Sequence, residues 1–202
     1  PVYYAPIIPL ILVNGCSGIG TGYSSSVPQY DPLDVINYIK FMLRKKSEHL
    51  DIKPYYNGFT GTTEKVDNKY ITTGSYKILK SGVRITELPI GKWSQQYKEF
   101  LDNSIIEKTK DNKISGFIIS IEDNCTDSTI DFFIRVKADL LASWCTHSEI
   151  IKDLKLTSSI TETNMHLYYK DTIHKYNSPN AIMEEYYNKR YTIYKNRKEF
   201  QI

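Results

Sequence analysis

The chain has 202 residues, 41% of them apolar and 24% charged, with a net charge of +3. That balance excludes an integral membrane protein and a disordered tail, and the length suits one domain or one domain with a small appendage. The modest positive charge permits a polyanionic partner without demanding one.

In chain order, Ile7 to Val13 is the longest apolar run. It is too short to cross a bilayer and has no basic leader, so it is neither an anchor nor a signal peptide. It reads as a buried strand within an extended segment, Pro6 to Asn14, that runs into the Gly-rich turn Gly15 to Gly22. Asp31-Pro32 is a helix cap followed by proline at the first helical position, and Leu33, Ile36, Ile39, Phe41 and Leu43 continue at helical spacing to about Lys45 or Lys46. Lys69 to Leu79 and Val83 to Leu88, joined at Ser81-Gly82, form a predicted hairpin. Trp93 to about Lys110 is predicted helical. Ile114 to Ile121 and Thr129 to Val136 suggest a second hairpin. Ala138 to Leu154 has helix character, and Leu156 to Ile160 and Met165 to Tyr169 are short strands. Ser178-Pro179 opens a helix running to Phe200, with Lys189, Arg190, Lys195, Arg197 and Lys198 making its end basic. The fold class is therefore α+β, with a mixed, mostly antiparallel sheet, flanking helices and a long C-terminal helix. The chain opens on Pro1 without an initiator Met and stops inside a helix, which predicts a fragment of a larger protein whose last helix continues, as a coiled coil.

Few residues assemble into a reactive centre. Cys16, Cys125 and Cys145 are odd in number and form no CxxC pair, which argues for a reducing compartment and against a zinc site. His49, His147, His166 and His174 fall in no metal-binding spacing. Asn124-Cys125-Thr126 matches a glycosylation acceptor only by coincidence, given the lack of a signal peptide. Glu122, Asp123 and Asp127 sit in a hairpin loop, where solvation explains them, and 17 tyrosines make any single one a weak nucleophile candidate. No catalytic or metal residue is assigned.

The Gly-rich turn is the most informative segment. A nucleotide loop must open directly into a helix, but Tyr23-Ser-Ser-Ser-Val-Pro28 is a poor helix start and no Gly-Lys-Ser/Thr follows. The turn could be a packing device needing glycine backbone angles. Within it Ile19 stands between Gly18 and Gly20, and two readings stay open from the residues alone: a loop side chain folded into the core, or an apolar wedge of the kind architectural proteins push between base pairs. Lys92, Trp93, Tyr97 and Lys98, with Lys40, Arg44, Lys45 and Lys46, could track a phosphate backbone or form solvated helix faces.

The stretch Tyr4-Ala-Pro-Ile-Ile-Pro-Leu-Ile-Leu-Val-Asn-Gly-Cys-Ser-Gly-Ile-Gly-Thr-Gly-Tyr-Ser24, with Pro28-Gln-Tyr-Asp-Pro32, closely resembles the breakage-reunion core of eukaryotic-type type IIA DNA topoisomerases. Pro54-Tyr-Tyr-Asn-Gly-Phe-Thr-Gly61, Ile85-Thr-Glu-Leu-Pro-Ile-Gly-Lys-Trp93, Tyr97-Lys98-Glu99, the Thr-x-x-Asn-Met ending at Met165 and Lys195-Asn-Arg-Lys198 recur in that order in the family. The resemblance covers essentially the whole chain.

It implies the tower portion of such an enzyme. Residues 1–28 would be the junction from a winged-helix domain with the DNA-wedge loop, 29–177 the tower, and 178–202 the start of a coiled coil toward the C-gate. It further implies a homodimer that binds double-stranded DNA, cuts it and passes a second duplex through the break, using Mg2+ and ATP in the full enzyme. The catalytic tyrosine, the metal carboxylates and the ATPase would lie upstream, leaving the fragment inactive alone and without a cofactor of its own. By position Ile19 matches the family's intercalating isoleucine, with Asn14, Ser17, Tyr23, Lys92, Trp93 and Lys98 as the expected DNA contacts. Cys16-Ser17 and Tyr23 depart from the cellular pattern, and the richness in Lys, Asn, Ile and Tyr suggests an AT-rich, viral genome. Localisation would be nuclear for a cellular enzyme, or at replication sites in the host cytoplasm for a cytoplasmic DNA virus. The rival expectation is a structural or protein-interaction module that never touches DNA.

Overall fold

The computed structural model describes residues 5–44, 51–108, 114–144, 146–169 and 171–202. In chain order the elements are α1 (Leu10–Asn14), β1 (Cys16–Gly20), β2 (Tyr23–Val27), α2 (Pro32–Leu43), β3 (Thr62–Val66), β4 (Lys69–Thr73), β5 (Tyr76–Leu79) and β6 (Gly82–Ile85). They continue with α3 (Ser94–Asp102), β7 (Glu107–Lys108), β8 (Ile114–Ser115), β9 (Ile118–Asp123), β10 (Phe132–Val136), α4 (Ala138–Ser143) and α5 (His147–Asp153). Last come β11 (Thr157–Thr161), β12 (Met165–Tyr169), β13 (Thr172–Tyr176) and α6 (Pro179–Gln201). The fold is α+β with antiparallel strand pairs, as the residue pattern predicts. By packing, the chain divides into one unit of Pro1–Asn57 with Thr161–Ile202 and a second of Gly58–Ile160.

In the first unit the hairpin of β1 and β2 follows α1, and the hairpin of β12 and β13 precedes α6. Its core gathers Leu12, Val27, Tyr30, Val35, Tyr38, Met165, Tyr176, Ile182 and Met183. Asp31 caps α2 by accepting from the Leu33 N–H at 2.8 Å, and Ser178 caps α6 by accepting from the Ala181 N–H at 3.2 Å, so both predicted caps form. The described part of α2 ends at Leu43; the expected end at Lys45 or Lys46 lies outside the described residues. In α6 only the first turns are buried, at Pro179, Ile182 and Met183, while Tyr191, Tyr194 and Phe200 are exposed.

The expected strand at Ile7 to Val13 is corrected. Pro9 and Leu12 are buried there, Leu12 in a helical turn, and Ile7 and Leu10 are exposed. Pro6 and Pro9 have no N–H for a strand ladder, whereas the Pro9 carbonyl accepts from the Leu12 N–H at 3.0 Å and starts a turn. A strand was missed at Thr172–Tyr176, which pairs with β12. Its polar residues His174 and Lys175 and its exposed surface hide the apolar alternation that marks a strand.

In the second unit a four-stranded sheet of order β5-β6-β10-β9 carries Val83, Ile85, Ile118, Phe132 and Ile134 into a core completed by Tyr97 and Leu101 of α3 and by Ile150, Leu154 and Leu156. A second sheet has the order β11-β4-β3. The expected single strand from Lys69 to Leu79 is broken, because the Gly74 N–H donates to Leu156 and the Ser75 N–H to Glu87; β4 pairs with β3, and β5 pairs with β6. The helix expected to reach Lys110 ends at Asp102, where the Ser104 hydroxyl donates to the Phe100 carbonyl at 2.8 Å and Ile105 bridges to Ile118. The expected helix from Ala138 to Leu154 is two helices, since Thr146 and Glu149 form a capping box that starts α5 afresh.

Candidate nucleic-acid interface

The Gly-rich turn is a hairpin, not a loop. In β1 and β2 Cys16 pairs with Val27, Gly18 with Ser25 and Gly20 with Tyr23, and because strand side chains alternate, these six positions share one face. On that face Val27 is buried and Cys16 and Ser25 are half-buried. Ser17 pairs with Ser26 and Ile19 with Ser24 on the opposite face. Ile19 is 94% exposed. The core alternative for Ile19 is therefore removed.

Glycine serves two purposes here. Gly15 (φ +64°) and Gly22 (φ +83°) occupy left-handed backbone, and a Cβ at Gly15 would stand 2.8 Å from the Val27 carbonyl oxygen. Gly18 has no such angle and nothing within 4 Å of its missing Cβ, and Gly20 meets only the Tyr23 carbonyl oxygen at 3.7 Å. These two glycines are not required by packing within the described structure. They thin the opposite face of β1, whereas on the face that holds Ile19 the neighbouring positions Ser17, Ser24 and Ser26 are short, so the isoleucine is the one large side chain among these four.

The remaining expected contacts are distributed as follows. Asn14 ends α1, and its carbonyl accepts from Gln29 Nε2 at 2.9 Å. Ser17 shares the Ile19 face. Tyr23 lies on the other face, its ring edge-on to the His166 ring at 6.0 Å between centroids. Asn164 and His166, which sequence reasoning did not single out, bond to this hairpin: the Ser26 N–H donates to the Asn164 carbonyl at 2.7 Å, and the Asn164 amide donates to the Ser24 hydroxyl at 2.9 Å. The only sequence signal for them is the Thr-x-x-Asn-Met stretch, which names no chemistry by itself.

Lys92, Trp93 and Lys98 belong to the second unit. Trp93 is 73% exposed at the N-cap of α3. With Lys92, Gln96, Tyr97 and Phe100 it lines a hollow of about 180 Å3. The two lysines already have internal partners. Lys98 Nζ lies 2.8 Å from Asp123 Oδ2, and the hydrogen bond between them raises the lysine and lowers the carboxyl relative to their ordinary pKa values. Lys92 donates to the Lys155 carbonyl, and burial first, then the nearby Lys155 ammonium, pulls its pKa down. Tyr97, on the buried side of α3, donates to the Leu154 carbonyl at 2.7 Å, and burial pushes its pKa up, so it stays a protonated structural donor.

Among the described residues no group of three His, Cys, Asp or Glu side chains could hold a metal ion. No described helix is long and apolar enough to cross a membrane.

The family model for the A subunit of DNA gyrase/topoisomerase IV matches residues 1–202. DNA topoisomerase 2 of Pisum sativum is 38% identical over 203 residues, covering 99% of this chain and 14% of its own length. DNA topoisomerase 2 of Acanthamoeba polyphaga mimivirus is 32% identical over 255 residues, covering 99% of this chain and 20% of its own. Among solved structures, the topoisomerase II DNA-binding, cleavage and re-ligation domain of Plasmodium falciparum superposes with a TM-score of 0.87 at 37% identity, covering all of this chain and 27% of that one. The chain thus spans less than a third of each of these relatives.

Proposed function

Since the chain belongs to the DNA gyrase/topoisomerase IV family of type II DNA topoisomerases, we propose that it is the part of such an enzyme that binds and bends the duplex to be cut. The observation that carries this is Ile19: a branched aliphatic side chain, 94% exposed, on a strand bared by glycine at both neighbours. Bending a site costs on the order of 1–6 kcal/mol, and unstacking a base step roughly a few kcal/mol. Fully burying an isoleucine returns about 1.5–3 kcal/mol, so one wedge from each protomer of a homodimer is of the right size to offset the bend. Ser17, on the same face, supplies a hydroxyl for a sugar or phosphate oxygen beside the wedge. Asn14, at the end of α1, and Tyr23, on the opposite face of the hairpin, are further contacts, and Lys92, Trp93 and Lys98 form a second, weaker contact region whose lysines must leave their internal partners to reach phosphate.

In this reading the whole enzyme is an ATP-dependent, Mg2+-requiring homodimer that passes one duplex through a transient break in another. No described cluster here fits the metal, so no cleavage step is assigned to this chain, and the purified chain is expected neither to relax nor to nick supercoiled DNA. Residues 1–28 act as the junction carrying the wedge, 29–177 as the tower, and 178–202 as the beginning of a coiled coil. The enzyme works in the nucleus, or at viral replication sites if its source is a cytoplasmic DNA virus. The test is end-to-end energy transfer across a doubly labelled duplex bound by the full-length enzyme. Ile19→Ala should reduce bending while leaving the melting temperature unchanged; normal bending with Ile19→Ala overturns the proposal.

A further inference from the structure

We propose that Asn164 and His166 are positioning residues that clamp β2 and thereby set the direction in which Ile19 is presented. The inference rests on the reading of Ile19 as the DNA wedge. A two-stranded hairpin is marginal alone, and Gly18 and Gly20 soften β1 further. Yet a wedge driven between base pairs must resist being pushed aside, so its hairpin needs an external brace.

The segment at the start of β12 supplies one. The Ser26 N–H donates to the Asn164 carbonyl at 2.7 Å, fixing the β2 backbone. The Ser25 hydroxyl donates to the His166 carbonyl at 2.7 Å and lies 3.2 Å from the His166 N–H. The Asn164 side chain works at both ends: its Nδ2 donates to the Ser24 hydroxyl at 2.9 Å, and its Oδ1 lies 3.0 Å from His166 Nδ1. The His166 ring in turn meets Tyr23 edge-on. Ser24 is the cross-strand partner of Ile19, and Tyr23 that of Gly20. The brace therefore holds the two β2 residues paired with Ile19 and with the glycine after it, while leaving the Ile19 side chain open.

The experiment is a double-mutant cycle in the full-length enzyme, read by duplex bending and by thermal melting. Losing the Asn164 side-chain bonds in Asn164→Ala should lower the bent fraction roughly two- to tenfold, the weight of about one hydrogen bond, and should add nothing in an Ile19→Ala background. Ser24→Ala removes the same bond from the exposed side and should reproduce the loss without a change in melting temperature, while Ser24→Thr, which keeps the hydroxyl, should restore bending. Normal bending in both Asn164→Ala and Ser24→Ala, with Ile19→Ala defective, overturns the clamp and leaves the wedge intact. A loss that adds fully to that of Ile19→Ala also overturns it. If Ile19→Ala itself bends DNA normally, the wedge reading fails instead.

Discussion

The hairpin of β1 and β2 and the region around α3 both attract attention as DNA contacts, but the structure furnishes them in opposite ways. Among the described residues nothing shelters Ile19, which is 94% exposed, and nothing packs closely against its two neighbouring glycines. Lys98 is bonded to Asp123, and Lys92 to the Lys155 carbonyl. A group whose interactions are already satisfied inside the fold gains little from an external ligand, because each new contact must first replace an old one. An exposed apolar group without partners loses nothing on binding. Position in a basic, aromatic stretch is therefore a weaker sign of a nucleic-acid contact than an unsatisfied side chain on a bared backbone.

The largest expected effect breaks or keeps this contrast directly. Ile19→Ala should change folding stability by less than about 0.5 kcal/mol, as a surface substitution does, and lower the bent fraction of bound duplex by about tenfold or more. A stability loss in the range of about 2–5 kcal/mol, typical of a core cavity, would place Ile19 in a core instead.

The next variant probes whether α3 belongs to the fold. Tyr97→Phe leaves the buried Leu154 carbonyl without its donor and should cost about 1–3 kcal/mol of stability, with an unchanged salt dependence of duplex binding. A change in salt slope would move the contact region into the helix face itself.

The lysines beside α3 are expected to contribute less than free phosphate contacts. Lys92→Ala and Lys98→Ala should each flatten the dependence of log affinity on log salt by less than the ~0.9 expected of a free phosphate contact. A full loss for each would make this region equal to the hairpin as a DNA contact.

The smallest effect lies in the surface pairs. Lys98 holds Asp123, and Arg84 holds Asp131, below the ordinary carboxylate range through hydrogen bonds first. A depressed carboxyl contributes stability above its unfolded value and loses it as pH falls through the folded one. Melting temperature should therefore fall on acidification below about pH 4, and less steeply for the Asp123→Asn, Asp131→Asn double variant. An identical decline would show that neither pair contributes.

Much of this protein was legible in its residues. Asp31-Pro32 and Ser178-Pro179 announced two helices because caps and first-turn prolines act within three or four residues. The hairpin expected over Ile114–Ile121 and Thr129–Val136 from their β-branched and aromatic runs forms with shifted bounds, as Ile118–Asp123 with Phe132–Val136. The family resemblance came from the order of whole motifs, and the family match agrees with it. Such signals are local, so the sequence alone could determine them.

Tertiary structure decided the rest, because the deciding partners are far apart in the chain. The Ile7–Val13 run makes a helical turn because of what covers it: Leu12 enters the core with Ile8 and Ile11 packed against it, while Ile7 and Leu10 are exposed. Where the strand from Lys69 broke depended on Leu156 and Glu87 accepting from Gly74 and Ser75. Gly18 and Gly15 look alike in sequence, but only the fold brings Val27 against one and leaves open space at the other. The brace on the hairpin joins Ser24 to Asn164, 140 positions apart. No local pattern encodes that bond, because a hydroxyl and an amide become partners only after the two segments have been packed against a shared core.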